Sequence, residues 1–236
     1  MTVQFDQVVF AYSMEEVYSV GATRFLRDRG PNQFDMQLPG GAADPVPQLD
    51  GSLYFNGAPQ YLSLPVGQLA RFYTQLSTGT MTVFVSYRAD VSGALWSNWN
   101  SAGGGVNKGI TLLAQTTAAV SPRLYQFQGG APQPYLIGSV ACGLGRKNIL
   151  SYTMEGTPRG LTNQTTNGAA WAVGAFGVTV HDTAIVPRIG SYPSGASPFQ
   201  GTINYLAFVR DALSSSDLSL YSRLLSEGIK PWTVRQ

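Results

Sequence analysis

The sequence predicts an all-β protein, a two-sheet antiparallel jelly-roll sandwich that ends in a short C-terminal helix. Three observations predict it. Apolar residues recur with a period of two in short runs along the chain, turn dipeptides such as Gly40-Gly41, Asp50-Gly51, Asn56-Gly57 and Gly129-Gly130 lie between those runs, and one helical pattern follows the last of them. Alternation at that period puts successive side chains on opposite faces of a strand. Short strands separated by turns every ~8–12 residues are the pattern of a sandwich.

Taken in order, the strands read as QVVFAYS (7–13), SLYFNG (52–57), QYLSLP (60–65), TMTVFVSYRAD (80–90), RLYQFQ (123–128), NILSYTME (148–155) and GTINYLAFVRD (201–211). The clearest is the fourth, where Met81, Val83, Val85 and Tyr87 alternate with Thr82, Phe84, Ser86 and Arg88. In the last, Ile203, Tyr205, Ala207 and Val209 alternate with Asn204, Leu206 and Phe208. Two segments read as helix. VGQLARFYTQL (66–76) has room for one short helix. In LSSSDLSLYSRLLSEG, Ser214 is placed to cap, with Asp217 three residues on and Gly228 closing the last turn, and the apolar stripe is Leu218, Tyr221, Leu224 and Leu225. No linker, composition break or repeat divides residues 1–236, so they read as a single domain, large enough to bury about 70% of the unfolded surface without staples.

Composition excludes several functions. Charged residues are 12% of the chain, against about 25% in an average domain, so the surface is covered by neutral polar groups. Lys+Arg 15 against Asp+Glu 13 leaves +2 with no cation run beyond Arg146-Lys147, which argues against a nucleic-acid partner, since that needs clustered cations to displace counterions. One cysteine, Cys142, excludes an intrachain disulfide and a cysteine-based zinc site, and one histidine, His181, excludes a histidine-rich metal site. The N-terminus has no cationic region and carries Asp6 before its apolar stretch, so it does not read as a secretory signal, and the longest low-polarity stretch, 169–180, is well short of the ~20 residues of a membrane helix. The expectation is a protein made in a cytoplasm, with no membrane partner.

Several stretches together resemble a known superfamily. FAYSMEE is followed by the turn Asp28-Arg29-Gly30-Pro31-Asn32-Gln33-Phe34, then by LYFNGAPQYLSLP (53–65) and the strand TMTVFVSYRAD, in which Tyr87 stands where tryptophan is usual. The end, RIGSYPSGASPFQGTINYLAFVRDALSSSDLSLYSRLL (188–225), carries a glycine-bearing strand, a Phe-x-Gly-x-Ile strand and a short helix. In this order they resemble the concanavalin A-like lectin/glucanase (laminin-G-like) superfamily in its short phage and bacterial form. The resemblance covers residues 5–65, 80–115 and 186–226 and is lost between 116 and 170. It implies two packed antiparallel sheets, one concave. It does not fix function, because its members include lectins, glycosidases, adhesion modules and virion proteins.

The residues weigh against an enzyme. A glycosidase of this fold needs two carboxylates on one strand face. The glutamates are Glu15, Glu16, Glu155 and Glu227, and the adjacent Glu15 and Glu16 would point to opposite faces of a strand. No nucleophile elbow is present, and His181-Asp182 reads as a strand end. Cys142 reads as a small buried hydrophobe. Neither GLGRKN (143–148) nor SAGGGVNKG (101–109) completes a phosphate loop, so no cofactor is implied. Asn163-Gln164-Thr165 is a glycosylation sequon that carries no weight without a secretory route. The candidate carbohydrate-binding residues are Asn98, Trp99 and Asn100. Trp96 reads as core, and Trp99 near the strand end can stack on a sugar with amides beside it, or serve packing or an interface. Asp28, Asn32 and Asp35 form the densest oxygen cluster, which fits a rim calcium ion or only a turn.

The resemblance and the low charge together lead to the expectation of a non-enzymatic structural protein on the surface of a bacteriophage virion, as capsid decoration or tail or fibre component. It would assemble in the host cytoplasm through contacts with other virion proteins and with copies of itself, with a trimer favoured. The alternative is a carbohydrate-binding lectin module that recognises a glycan on a cell surface.

Overall fold

The computed structural model describes residues 5–58, 60–76, 80–99, 109–114, 123–128, 131–138, 145–154, 159–163, 168–173 and 183–232. Its strands, in chain order, are β1 (Val8–Val20), β2 (Thr23–Asp28), β3 (Met36–Gln37), β4 (Val46–Pro47), β5 (Leu53–Asn56), β6 (Leu62–Ser63), β7 (Met81–Val91), β8 (Gly93–Ser97), β9 (Gly109–Ala114), β10 (Arg123–Gln128), β11 (Ala131–Gly138), β12 (Lys147–Met154), β13 (Arg159–Asn163), β14 (Gly168–Val173), β15 (Arg188–Ile189) and β16 (Gln200–Val209). Two helices accompany them, α1 (Leu69–Leu76) and α2 (Ser215–Ser226). The all-β class and the C-terminal helix expected from the sequence are both present.

Every pairing among the described strands is antiparallel. They run in the order β2-β3-β6-β15-β8-β9-β10-β11-β14-β13-β12-β7-β16, and β1 pairs with both β2 and β16. The hydrogen bonds thus close a ring around the protein, where the sequence predicted two separate sheets, and β5 and β4 form a spur on β16. The strand β16 changes partner along one edge. Gln200–Ile203 pair with β5, whereas Tyr205–Val209 pair with β1, and β7 lies along the other edge throughout.

Inside the ring lies the larger core. The strand β7 sends Met81, Val83, Val85 and Tyr87 into it, as its alternation predicts, and β1 sends Phe10, Tyr12 and Met14. Phe10, Trp96 and Phe208 pack at its centre with tilted rings, the Phe208 centroid 4.6 Å from each of the other two. Leu69, Phe72, Tyr73 and Leu76, one face of α1, complete it. The helix proper starts at Leu69, after a single 3-10 turn over Val66–Gln68.

A second core lies outside the ring. Val8, Ala11, Phe84, Ile149, Tyr205, Ala207 and Val209 are covered by Leu218, Tyr221 and Leu225 of α2 and by Trp232. The sequence reading placed Ile203 on one face with Tyr205, Ala207 and Val209; the structure separates them. A bulge at Asn204 shifts the register between Ile203 and Tyr205, so Ile203 points inward and Tyr205 outward. One extra residue in a strand turns every later side chain to the other face. The helix is capped as its sequence predicts: Ser214 Oγ accepts from the Asp217 N–H at 3.2 Å, and Gly228 follows with φ +83°. No helix among the described residues is long and apolar enough to cross a membrane.

Candidate functional site

The cluster Asp28, Asn32 and Asp35 is brought together by the loop after β2, and its atoms are committed to that loop. Asp28 Oδ1 accepts from the amides of Ala11 (2.9 Å) and Gly30 (2.7 Å), and Oδ2 accepts from Phe34 (2.8 Å). Asp35 Oδ1 accepts from the Asp28 amide at 2.7 Å, and its other oxygen accepts the Tyr18 hydroxyl. The Asn32 amide donates to the carbonyls of Val8 and Val9. A calcium ion needs oxygens turned toward it, whereas both oxygens of Asp28 are already turned to amide donors, so this donor set does not fit the metal. Among the described residues no three His, Cys, Asp or Glu side chains come together. Burial is the larger influence on Asp28, raising its pKa to about 6 against the lowering by its three amide donors.

The predicted sugar-contacting residues lie at the end of β8. Asn98 is fully buried: its Oδ1 accepts from the Ile110 amide at 2.6 Å, which ties β8 to β9. Gly109 opposite has no room for a side chain, since a Cβ there would lie 2.8 Å from Asn98 Oδ1. Trp96 is core, as expected, at 1% exposure. Trp99 is half-buried, and its ring stands edge-on to Tyr192 at 5.4 Å and 90°. Asn100 lies outside the described residues, as do Cys142, Glu155 and His181.

Around Trp99 the pairing of β6, β15 and β8 gathers residues that sequence reasoning missed. Arg188 is in register with Ser63 on one side and Ser97 on the other, and Ser97 with Thr111. Their neighbours Leu62, Ile189, Trp96 and Leu112 point into the core, so this row faces outward. The Arg188 guanidinium lies 3.9 Å from the centre of the Tyr61 ring and also donates to the Tyr192 carbonyl at 3.4 Å. Within the row, Ser97 and Thr111 are fully buried and bonded to each other at 2.7 Å, and Ser97 Oγ also accepts from the Trp99 amide at 3.1 Å, so they fix the strand end rather than face solvent. What this corner presents is three partly exposed rings, Tyr61, Trp99 and Tyr192, with the Arg188 cation and the half-buried Ser63.

A second concave site opens where β16 changes partner. Between β1, which leaves β16 at its bulge, and the spur of β5 lies a cleft of about 610 Å³. Ser86 and Arg88 on the outer face of β7 and Thr202 and Asn204 of β16 lie along it, with Lys147 of β12 on one side. Glu15, Asp50 and the turn after α2 at Lys230 complete the rim. Lys230 Nζ donates to Ser13 Oγ (2.9 Å) and Glu15 Oε1 (3.1 Å), and Ser13 Oγ donates to the same carboxylate oxygen at 2.8 Å. The serine bond first, then the lysine, holds the Glu15 carboxyl below its ordinary range. The Asp50 carboxyl is also lowered, first by the Ser52 hydroxyl and more weakly by the charge of Arg88. Lys147 Nζ donates to the Leu225 carbonyl at the end of α2 (3.0 Å), where the helix dipole favours a cation. Ser86 Oγ is fully buried on the cleft floor with no hydrogen-bond partner.

Among solved structures, the chain is similar to the Trypanosoma rangeli sialidase solved in complex with sialic acid, with a TM-score of 0.58 and 14% identity over 96% of this chain and 34% of that one. It is also similar to a mutant of the NanB sialidase from Streptococcus pneumoniae, with a TM-score of 0.53 and 14% identity over 71% of this chain and 27% of that one. A carbohydrate-binding CBM40 of a Ruminococcus gnavus sialidase, bound to α2,3-sialyllactose, aligns with a TM-score of 0.49 and 16% identity over 77% of this chain and 99% of that one. The chain spans about a third of the sialidases it resembles. No family model matches the sequence, and no curated protein does. At such identities the likeness to the sialidases is one of fold alone.

Proposed function

We propose that the protein is a non-catalytic carbohydrate-binding module and that its glycan lies on the outer face around Trp99. The observation that carries this reading is the corner itself: the partly exposed rings of Trp99, edge-on to Tyr192, and of Tyr61, under the Arg188 guanidinium. Aromatic faces stack on the C–H faces of sugar rings while neighbouring polar groups read the hydroxyls. The fold shared with sialidases is consistent with this reading. Because one of them is solved with sialic acid, sialylated glycans belong among the first ligands to test.

Hydrolysis is not part of the proposal. Glu15 is engaged by Ser13 and Lys230, Glu16 is ion-paired with Arg29, and Glu227 lies 3.9 Å from Arg223 on α2. Asp50, which shares the cleft with Glu15, accepts at Oδ1 from the Ser52 amide and hydroxyl, and both carboxyls are held below their ordinary range, unlike the raised acid a glycosidase needs. The virion reading rests on no observation in the fold or at either site, so a cell-surface glycan replaces virion proteins as the partner proposed here.

The test is a glycan array of neutral and sialylated sugars, probed with the wild type, Trp99→Ala and Tyr61→Ala. Saturable binding that weakens by about tenfold in each variant, equivalent to ~1.4 kcal/mol, is expected. A blank array with a folded wild type would remove the proposal, and so would binding that ignores both rings.

A further inference from the structure

The cleft between β1 and β5 has a chemistry of its own. Its lining carries three cations, Arg88, Lys147 and Lys230, and two carboxylates, Glu15 and Asp50, a balance of one positive charge. Two of the cations are already held by the chain: Lys230 by Glu15 and Ser13, Lys147 by the Leu225 carbonyl. Arg88 is not held in this way. Its nearest carboxylate oxygen, on Asp90, lies 3.9 Å from Nε, beyond hydrogen-bonding range, and its side chain is 48% exposed. Asp50, whose charge Arg88 also senses, accepts at Oδ1 from the Ser52 amide and hydroxyl. Two residues before Arg88 on the same face of β7, the buried Ser86 hydroxyl has no partner.

We propose that this cleft is a second ligand site, specific for a sugar that carries a carboxylate, with Arg88 gripping the carboxylate and Ser86 Oγ bonding the sugar from the floor. A guanidinium fork matches the two oxygens of a planar carboxylate. The single positive charge of the lining suits a monoanion, and the Glu15 and Asp50 carboxylates oppose a more highly charged group such as a phosphate dianion. A buried hydroxyl without a partner gains most from a ligand rich in donors and acceptors. Ile229, 51% exposed at the rim, offers an apolar edge to a ring face. A cleft of about 610 Å³ falls within the ~300–1,000 Å³ of small-ligand sites. The site does not depend on the aromatic corner, so either can be present without the other.

The test titrates the full chain, by calorimetry and by amide chemical shifts, with glucuronic acid and glucose, with N-acetylneuraminic acid and its methyl ester, and with inorganic phosphate. The proteins are the wild type, Arg88→Gln, Ser86→Ala and Trp99→Ala. At least one acid should bind about tenfold or more tightly than its neutral counterpart. That preference should vanish in Arg88→Gln and survive in Trp99→Ala, and the acid-specific part of the binding should weaken several-fold in Ser86→Ala. Arg88 is half exposed, so its replacement should keep the wild-type circular dichroism and unfolding midpoint. Equal affinity for acid and neutral sugar, phosphate binding as tightly as the acids, or no binding of any sugar would overturn the assignment. Acid binding lost in Trp99→Ala but kept in Arg88→Gln would also overturn it, while leaving the carbohydrate-binding reading in place.

Discussion

Asp28 offers a direct test of how the loop after β2 is held. Its carboxylate is 4% exposed and accepts three backbone amides, from Ala11, Gly30 and Phe34. Two effects oppose each other at this group. Burial disfavours the charged form, and amide donors favour it. Burial is the larger, leaving Asp28 with a pKa of about 6, against about 3.9 in an unfolded chain. The folded protein therefore binds a proton that the unfolded chain has lost, over the interval from about pH 4 to pH 6. Stability falls with rising pH wherever the folded state holds more protons. The stabilisation associated with the neutral acid is fully present below pH ~4 and is lost as the pH rises through about 6. A shift of about two units corresponds to roughly 3 kcal/mol.

The informative perturbation is Asp28→Asn, which keeps the shape of the neutral acid and cannot ionise. Urea unfolding of the two proteins at pH 4, 5, 6 and 7 should show the difference between them moving in the variant's favour by as much as ~3 kcal/mol from pH 4 to pH 7. The variant loses one acceptor, because its NH₂ would meet an amide donor, which offsets about 1–3 kcal/mol of that gain at every pH. The pH-dependent difference between the two proteins is accordingly the quantity to read, not the absolute value at one pH. A difference that does not change with pH, or a wild type that gains on the variant as the pH rises, would show that the amide donors outweigh burial. The same samples test the metal. Calcium should leave both midpoints unmoved, since the oxygens of Asp28 are taken by backbone amides.

Other expectations follow from packing and from the caps. Leu218→Ala opens the second core between α2 and the outer face of β16, and should cost about 2–4 kcal/mol in urea unfolding; a loss below ~1 kcal/mol would mean that α2 is not docked on the sheet. Gly201 has φ +140°, and a Cβ there would lie 2.1 Å from the Arg88 carbonyl. Gly201→Ala should therefore cost ~3 kcal/mol or more, or prevent folding, by parting β16 from β7; unaltered stability would refute that close approach. Ser86→Ala removes a buried hydroxyl that has no partner and should leave stability unchanged or raise it by up to ~1 kcal/mol. A loss exceeding ~1 kcal/mol would mean that the hydroxyl is bonded after all.

How much of this was legible in the sequence depended on whether a feature is local. The faces of β7 could be read directly, because Met81 to Arg88 keep a period of two ahead of the irregularity at Asp90. Those of β16 could not, because the bulge at Asn204 leaves no mark in an apolar-rich run: Tyr205 and Leu206 are both hydrophobic and both buried, one on each side of the sheet. The cap of α2 was legible because Ser214 and Asp217 meet within one turn. Ring closure was not, since it depends on pairings between residues near opposite ends of the chain, such as Ala11 with Ala207. The same limit applies to the sites. Trp99 stood out beside its amides, but Tyr61, Arg188 and Tyr192 join it only through the pairing of β6, β15 and β8. The spacing of Asp28, Asn32 and Asp35 serves a cation or a set of backbone amides equally well, and only the positions of Ala11, Gly30 and Phe34 decide between them.

The bulge that hid the faces of β16 also explains where the cleft lies. Before Asn204 the strand pairs with β5, and after it with β1. Two strands cannot occupy the same edge, so a notch opens between them at the changeover. The side chains on the outer face change character at the same point. Beyond the bulge, Tyr205, Ala207 and Val209 are apolar and covered by α2; before it, Thr202 and Asn204 are polar and half-buried. The neighbouring strand β7 follows suit, with Phe84 under the helix and Ser86 and Arg88 in the notch. Polar groups become affordable on this face only where the helix no longer covers it. A backbone irregularity that ends one interface thus leaves the half-exposed Arg88 and the unpartnered Ser86 on a stretch of this face that the helix does not cover, which is where the proposed ligand would sit.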